Sequence, residues 1–239
     1  MENREFFAVF IFPLSRLKSV AVIFVHIMTF IYASDSSASS PIKILFLGNS
    51  ITKHAPSQDL NWKGNWGMAS SKGQFDYTSV TREILSDKLQ RQIEVQSINV
   101  SYFEKFPLMN VRKVAEIVQR EPYDVLVFFL GDNLSSDSVS IDKFKIGYTE
   151  LLNKVRADNQ VIICIGVWWD SKIKDAALKS SCNGASGQFI SLSDLSRNVN
   201  NRAHSERIFE IKGVGEHPGD RGMREIARRI SERLLIRFQ

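Results

Sequence analysis

The sequence predicts an α/β protein, built as a three-layer α/β/α sandwich around a mainly parallel sheet. Four short apolar runs have the length of strands, and helix-length segments with an apolar face separate them along the chain. Runs that are apolar on both faces, rather than alternating, are typical of parallel strands covered by helices on either side. Because strands and helices alternate, the helices should lie in right-handed crossover connections and cover both faces of the sheet.

The predicted elements follow one another in a regular order. The strands are the apolar runs at residues 42–47, 93–100, 123–130 and 160–167. Apolar residues at helical spacing predict helices between successive strands, at residues 76–90, 111–119 and 144–155. A last helix begins near Asp220, where apolar residues recur every three or four positions. The segment from Trp168 to Arg207 is rich in Ser, Asn and Gly, and we expect it to form loops over a ligand site.

The first 34 residues have the pattern of a secretory signal. Basic residues precede an apolar run over residues 19–32, and small residues follow it. The run is shorter than the roughly 20 apolar residues that a membrane-spanning helix needs. We therefore expect residues 1–34 to be a signal peptide of a secreted or periplasmic protein, with a retained membrane anchor as the alternative. Residues 35–41 should be a linker, and residues 42–239 should form one catalytic domain.

Composition and spacing argue against several kinds of site. The net charge of +5 is concentrated in the arginine-rich C-terminal helix. We interpret these arginines as a solvent-exposed helix face rather than a nucleic-acid-binding site. Cys164 and Cys182 are too few for a disulfide framework, and Cys164 falls in a predicted buried strand, so the sequence favours free thiols. The histidines lack zinc spacing, and no dinucleotide or phosphate loop is present, so we expect neither a metal nor a cofactor.

Three polar residues lie at or near the carboxyl-terminal edge of the predicted sheet, where parallel sheets usually carry their active-site residues. Ser50 follows the first strand behind Gly48, in a turn that lifts a hydroxyl clear of the sheet. His217 lies in the loop before the last helix and can take the proton of a serine. Asn133 follows the third strand, and its amide can donate a hydrogen bond to an oxyanion. Since such sheets bind ligands at the carboxyl ends of their strands, these residues should meet at one site.

The segments around these residues resemble the blocks of the SGNH (GDSL-like) serine hydrolases. FLGNSIT is similar to the GDSL block, with Asn49 in place of the usual Asp, while LGDN resembles the Gly-x-Asn block and EHPGDRGM the block around the histidine. The resemblance runs from about Ile42 to Phe238 in matching order. It implies a flavodoxin-like fold, ester hydrolysis without a cofactor, Ser50 as nucleophile, His217 as base and Asn133 as an oxyanion donor.

One departure from the family concerns the carboxylate that orients the histidine. The family often carries Asp three residues before its histidine, and this chain has Val214 there. Glu216, Asp220 and Asp170 are candidates for the missing carboxylate. A Ser-His dyad, in which a backbone carbonyl steadies His217, is equally compatible with the sequence.

A second departure concerns the oxyanion hole. The family's second block supplies a glycine whose N–H enters the hole, whereas this chain reads Asn99-Val100-Ser101 after its second strand. A backbone donor needs no particular side chain. We therefore expect the N–H of Ser101 to join the donors of Ser50 and Asn133.

The expected substrate follows from the tryptophans near the site. Trp62 and Trp66 lie in a Gly-rich loop after Ser50, and if their rings are exposed they could stack on sugars. Trp168 and Trp169, just after the fourth strand, could line the entrance of the same site. The sequence thus predicts an exported serine esterase that cleaves short-chain esters through an acyl-serine, with O-acetyl groups on carbohydrates as the expected substrate. A carbohydrate-binding protein without turnover and a sugar O-acyltransferase remain alternatives. The expected partner is a small-molecule or glycan ester, with membrane contact only if the N-terminal segment is retained.

Overall fold

Five parallel strands form the central sheet of the computed structural model, which describes residues 40–239. The strands are β1 (Ile42–Gly48), β2 (Ile93–Asn99), β3 (Val125–Phe129), β4 (Val161–Ile165) and β5 (Gln188–Ile190). Their order across the sheet is β2-β1-β3-β4-β5, and every neighbouring pair is parallel. This is the flavodoxin-like order of doubly wound sheets, so the predicted parallel α/β sandwich is confirmed.

Helices cover both faces of this sheet. They are α1 (Tyr77–Leu89), α2 (Tyr102–Lys105), α3 (Pro107–Val118), α4 (Ser138–Val155), α5 (Lys172–Gly184), α6 (Ser193–Arg197), α7 (Lys212–Gly215) and α8 (Asp220–Phe238). Residues of α3, α4 and α5 pack on one face, and residues of α1, α6 and α8 pack on the other. The sheet is therefore the middle of three layers.

The three central strands, β1, β3 and β4, are buried on both sides, because their successive side chains point to opposite faces and helices cover both. In β1, Leu45 and Leu47 pack under α3 and α4, whereas Ile44 and Phe46 pack under α1 and α8. All residues of β3 and β4 are buried. This double burial explains why these strands read as continuous apolar runs.

The segment after β4 is more regular than its composition predicts. Residues 168–207 were expected to be loops, yet they contain α5, β5 and α6. The apolar face of α5 is built largely from small residues, and β5 is three residues long, so neither gives a clear period in the sequence. The prediction of a wholly irregular segment was therefore wrong.

Two helices begin earlier than their apolar spacing predicts. α3 begins at Pro107, whose fixed φ suits the first position of a helix and whose missing N–H is not needed there. α4 begins at Ser138, behind Asp137, whose Oδ1 accepts a hydrogen bond from the backbone N–H of Ser140 at 2.9 Å. A proline at the first position sets the start of α3 and an N-cap hydrogen bond sets the start of α4, so hydrophobic periodicity marks neither.

Cys164 and Cys182 form a disulfide, contrary to the free thiols that the sequence favours. Cys164 lies in β4 on the face covered by α5, and Cys182 lies in the last turn of α5. Their Cα atoms are 6.1 Å apart, within the usual range for a bridge. Because a strand and the helix that follows it pack face to face, two buried cysteines 18 positions apart can meet without a wider disulfide framework.

Within residues 40–239, no helix is both long enough and apolar enough to cross a membrane. The signal peptide or anchor predicted for residues 1–34 lies outside the described residues. The same part of the chain contains no group of three His, Cys, Asp or Glu side chains arranged to hold a metal ion.

The disulfide should contribute measurably to stability. The Cys164→Ala/Cys182→Ala double variant is expected to lose about 3 kcal/mol of unfolding free energy, because the bridge closes a loop of intermediate length in the unfolded chain. Urea denaturation of the two proteins measures the difference. Thiol titration of unreduced, denatured wild type is the control, since finding two free thiols would show that the bridge does not form.

Candidate active site

The carboxyl ends of β1, β2 and β3 lie level with one another. Gly48 of β1 pairs with Asn99 of β2 and with Phe129 of β3. The chain leaves β1 for a strand on one side and later returns to the strand on the other, so this edge is the switch point at which such sheets bind ligands. A cavity of about 530 Å³ opens here. Its lining includes Ser50, His54, Leu60, Met68, Asn99, Ser101, Tyr102, Lys105, Asn133, Ile211, Gly213, Val214 and His217.

A tight turn after β1 presents Ser50 to the cavity. Gly48 is required at its start, because an added Cβ would lie only 2.8 Å from the carbonyl oxygen of Phe129. The side chain of Asn49 then closes the turn, since its Oδ1 accepts a hydrogen bond from the N–H of Ile51 at 3.0 Å. The serine therefore stands on a turn that the strand, the glycine and the asparagine define together.

Ser50 and His217 are in direct contact. The serine Oγ lies 2.9 Å from His217 Nε2, and His217 Nδ1 lies 2.9 Å from the carbonyl oxygen of Gly213. A carbonyl can only accept a hydrogen bond, so Nδ1 carries the ring proton and Nε2 presents its lone pair to the serine hydroxyl. This is the tautomer in which an imidazole can take a proton from the hydroxyl.

Burial keeps His217 in its neutral form. The residue is only 8 % exposed, and the lost hydration lowers the pKa of the imidazole to about 4, although the hydrogen bond to Gly213 opposes this shift. The indole of Trp169 covers part of the ring edge to face, with ring centroids 5.0 Å apart. His217 is thus a neutral acceptor over most of the pH range.

Within the described residues no carboxylate contacts His217. Glu216 accepts a hydrogen bond from Arg202 at 2.8 Å, Asp220 accepts one from the N–H of Ser71 at 2.7 Å, and Asp170 is exposed. The three candidate carboxylates are therefore occupied elsewhere or turned away. The geometry is that of the dyad alternative, with a backbone carbonyl behind the imidazole.

Two hydrogen-bond donors that find no acceptor within residues 40–239 belong to residues that line the cavity. Among the described residues the backbone N–H of Ser50 has no acceptor, and Asn133 Nδ2 gives one hydrogen to Glu104, which leaves its second hydrogen free. The expected donor at Ser101 is not available, because its N–H donates to Asn99 Oδ1 at 2.9 Å. Asn99 forms this turn at the end of β2, so the Ser101 assignment is corrected to a lining role only.

Two carboxylates that the sequence does not predict lie beneath the site, Glu104 buried and Asp132 partly buried. The Nδ2 of Asn49 bridges them, 3.2 Å from Glu104 Oε1 and 3.1 Å from Asp132 Oδ2. Burial raises the pKa of both carboxyls, that of Asp132 to about 7, and the charge of Glu104 adds to the shift at Asp132. A signal existed in the sequence, since Glu104 stands among aromatic residues just after the second strand and Asn49 replaces an acid.

The tryptophan loop after Ser50 is packed more tightly than predicted. Trp62 is only 9 % exposed and meets Trp66 edge to face, with centroids 5.6 Å apart. Each indole N–H donates to a backbone carbonyl, that of His54 or Ser70. Because the loop folds back on itself, Trp62 is a packed side chain and presents no exposed indole on which a sugar could stack. Trp169, beside His217, is the more exposed ring at 36 %.

No protein-family model matches this sequence, and no curated protein matches it significantly. Several solved structures do match. The esterase EstA from Pseudoalteromonas sp., inhibited by monoethylphosphonate, aligns with a TM-score of 0.54 at 13% identity over 81% of this chain and 98% of its own. A two-domain esterase active on acetylated mannans, co-crystallised with mannopentaose, aligns with a TM-score of 0.58 at 19% identity over 94% of this chain.

This chain spans only 54% of that mannan esterase. The acetyl xylan esterase AlAXEase aligns with a TM-score of 0.51 at 16% identity, over 81% of this chain and 100% of its own. At these identities the likeness shows the fold alone. The chain therefore has the SGNH/GDSL-like esterase fold that its sequence blocks imply.

The burial of His217 predicts an unusual titration. Its imidazole should titrate near pH 4 in the folded protein, which the ring-proton shifts in NMR spectra will show, with His217→Gln used to assign the signal. Between pH 6.5 and about 4 the unfolded chain binds a proton that the folded protein does not. The unfolding free energy should therefore fall as the pH drops through this range, by about 3 kcal/mol from this residue.

His217→Gln is also the control for this stability effect, because it removes the titrating group. Denaturant unfolding at pH 7 and pH 4.5 should show a smaller loss of stability in the variant than in the wild type. A His217 pKa at or above 6.5 would contradict the account.

Proposed function

We propose that the protein is a serine esterase with Ser50 as its nucleophile and His217 as its general base. The observation that carries the proposal is the 2.9 Å contact between Ser50 Oγ and the unprotonated nitrogen of His217, at the ligand-binding edge of an SGNH/GDSL-like fold. A buried imidazole held in this tautomer is suited to activating a hydroxyl. The donors at Ser50 and Asn133 lie in the same cavity, where an oxyanion would form.

The first step forms an acyl-serine. Ser50 Oγ attacks the ester carbonyl carbon while its proton moves to His217 Nε2. The carbonyl oxygen becomes an oxyanion, which the Ser50 N–H and the Asn133 amide stabilise. When the tetrahedral intermediate collapses, the bond to the alcohol oxygen breaks, and the alcohol leaves with the proton from Nε2.

The second step reverses these roles with water. His217 Nε2 takes a proton from the attacking water, a second oxyanion forms, and its collapse releases the carboxylic acid and returns the proton to Ser50. During both steps the imidazolium is stabilised by the Gly213 carbonyl dipole instead of a carboxylate. Because this partner carries no net charge, it supports a positive ring less strongly, and charge separation at the dyad is correspondingly costly.

The substrate proposed here is an O-acetyl ester on a carbohydrate. Two of the structures that share the fold are described as acetyl xylan and acetylated-mannan esterases, although the low identities carry no substrate assignment by themselves. The exposed indole of Trp169 beside His217 offers a flat surface for a sugar ring. Export, which the N-terminal sequence predicts, belongs to the same proposal, since it would bring the protein to extracellular glycans.

A second candidate is a carbohydrate-binding protein without turnover. The observation that favours it is the missing carboxylate behind His217, combined with an imidazole pKa far below neutrality. A base with so low a pKa has a small driving force for taking a proton. A sugar O-acyltransferase would use the same acyl-serine and differ only in the acceptor.

Ser50→Ala and His217→Ala should each lower kcat for p-nitrophenyl acetate by on the order of 10⁴-fold or more, because nucleophile and base act as one unit. The double variant should lose little more than either single variant. Labelling of Ser50 by a fluorophosphonate, followed by intact-mass spectrometry, is the independent measurement. Wild type that is neither labelled nor active would support the non-catalytic candidate instead.

The substrate class is tested by comparing acyl chains and alcohols. Wild type should cleave p-nitrophenyl acetate faster than the octanoate and should release acetate from acetylated oligosaccharides. Trp169→Ala should lower kcat/KM for the oligosaccharides about tenfold, the expected effect of losing one aromatic contact. Because the indole also covers the His217 ring, kcat/KM for p-nitrophenyl acetate measures any effect of the variant on the base, and the loss with oligosaccharides should exceed that effect about tenfold.

Trp66→Ala is the matched variant, since it removes the same side chain at a half-buried position whose indole N–H is already bonded. It should cost less oligosaccharide activity than Trp169→Ala does. Preference for octanoate, or oligosaccharide activity that neither variant alters, would count against a sugar ester while leaving the serine esterase in place.

A further inference from the structure

Glu104 is a charged side chain buried at the floor of the candidate site. It is only 2 % exposed, and it lies on the short helix α2, far in sequence from the residues that it contacts. We infer that Glu104 is a positioning residue that fixes the direction of the Asn133 amide, so that this amide presents a hydrogen to the oxyanion. The inference rests on the proposed esterase function and assigns a role that the sequence blocks do not include.

All hydrogen bonds that Glu104 accepts come from groups around the site. Its Oε2 accepts from Asn133 Nδ2 at 2.5 Å. Its Oε1 accepts from the backbone N–H of Gly131 at 2.6 Å, from Asn49 Nδ2 at 3.2 Å and from the N–H of Asn133 at 3.5 Å. One carboxylate thus joins the turn that carries Ser50 to the loop that carries Asn133.

The chemistry of a carboxylate determines what Asn133 can do. An ionised carboxylate only accepts hydrogen bonds, so it selects the NH₂ end of the Asn133 amide and excludes the oxygen. The same nitrogen carries a second hydrogen, for which the described residues offer no acceptor. With Nδ2 held at Glu104 by one hydrogen, the other remains available on the side of the cavity that Asn133 lines.

The position of Glu104 is itself well determined. The turn after β2 starts α2, and the N–H of Glu104 donates to the carbonyl of Ser101 at 3.0 Å. The neighbouring Phe103 is fully buried and packs edge to face on Phe144, with centroids 6.0 Å apart. The packing of Phe103 fixes the backbone of α2, and the hydrogen bonds that the carboxylate accepts hold the Glu104 side chain beneath the site, which makes it a rigid reference for Asn133.

Glu104→Gln tests the inference with a side chain of the same size. Gln presents an NH₂ where Oε2 faces Asn133, so two donors meet and the Asn133 amide must turn its oxygen toward residue 104. The oxyanion donor is then lost. We expect kcat to fall on the order of 10²-fold, the typical cost of one such donor, with KM within about twofold of wild type.

A double-variant cycle shows whether the effect passes through Asn133. Asn133→Ala should cost a similar amount, and adding Glu104→Gln to it should cost almost nothing more, because the partner is already absent. Asp175→Asn is the control: this carboxylate accepts from the N–H of Val167 at 2.9 Å and contacts none of Ser50, Asn133 and His217. Its kcat should stay near that of wild type. Additive losses in the cycle would overturn the inference.

NMR of the Asn133 side-chain amide gives a readout that needs no turnover. Its two protons, assigned by their loss in Asn133→Ala, should be widely separated in wild type and should shift strongly in Glu104→Gln. Unchanged shifts would overturn the inference even if kcat falls. Wild type without activity or fluorophosphonate labelling would refute the esterase proposal alone, while the amide shifts would still decide the role of Glu104.

Discussion

The parallel pairing of β1 with both β2 and β3 is the constraint on which the candidate site depends. Because the register aligns Gly48 with Asn99 and Phe129, three strands end at the same height, and the turns that follow them must share one small space. Ser50 and Asn133 come from two of these turns, and Glu104 comes from α2, the short helix after β2. His217 is added from the far end of the chain, just before α8. The sheet therefore brings together residues that are more than a hundred positions apart.

The site distributes its negative charge differently from a Ser-His-Asp triad. In a triad the carboxylate stands behind the imidazole and stabilises its positive form. Here the position behind His217 holds the Gly213 carbonyl, while the carboxylates of Glu104 and Asp132 contact the Asn49 amide on the far side of the site. The amide of Asn49 fits this arrangement, because an Asp in its place would put a third carboxylate against the other two. Asn49, which departs from the block that the sequence resembles, is therefore suited to its position between two carboxylates.

Much of this architecture could be predicted from the sequence, but for reasons that differ from element to element. Strands β1, β3 and β4 were predictable because burial on both faces leaves an uninterrupted apolar run, whereas the edge strand β2 is mostly half-buried and carries polar residues between its apolar ones. α5 and β5 were not, since small residues and a length of three give no period. The contact between Ser50 and His217 matches the motifs. The bond that occupies the Ser101 N–H is local, since Asn99 stands only two positions earlier, and an Asx turn there could have been predicted. The burial of Trp62, the disulfide and the Glu104 network depend on packing between segments that are distant in the sequence, which spacing along a chain does not encode.

The hydrogen bonds of Asn99 and Asn133 have a practical consequence for producing the protein. Both residues begin Asn-x-Ser sequences, which are acceptors of N-linked glycans in eukaryotic secretory pathways. In the folded protein Asn99 Nδ2 donates to the Lys53 carbonyl at 2.7 Å and Asn133 Nδ2 donates to Glu104, so each nitrogen is engaged beside the cavity. Glycan transfer would replace one of the two hydrogens on either nitrogen and place a sugar at the cavity that both residues line. A glycosylating expression host would consequently yield protein with a blocked site, and bacterial expression avoids this.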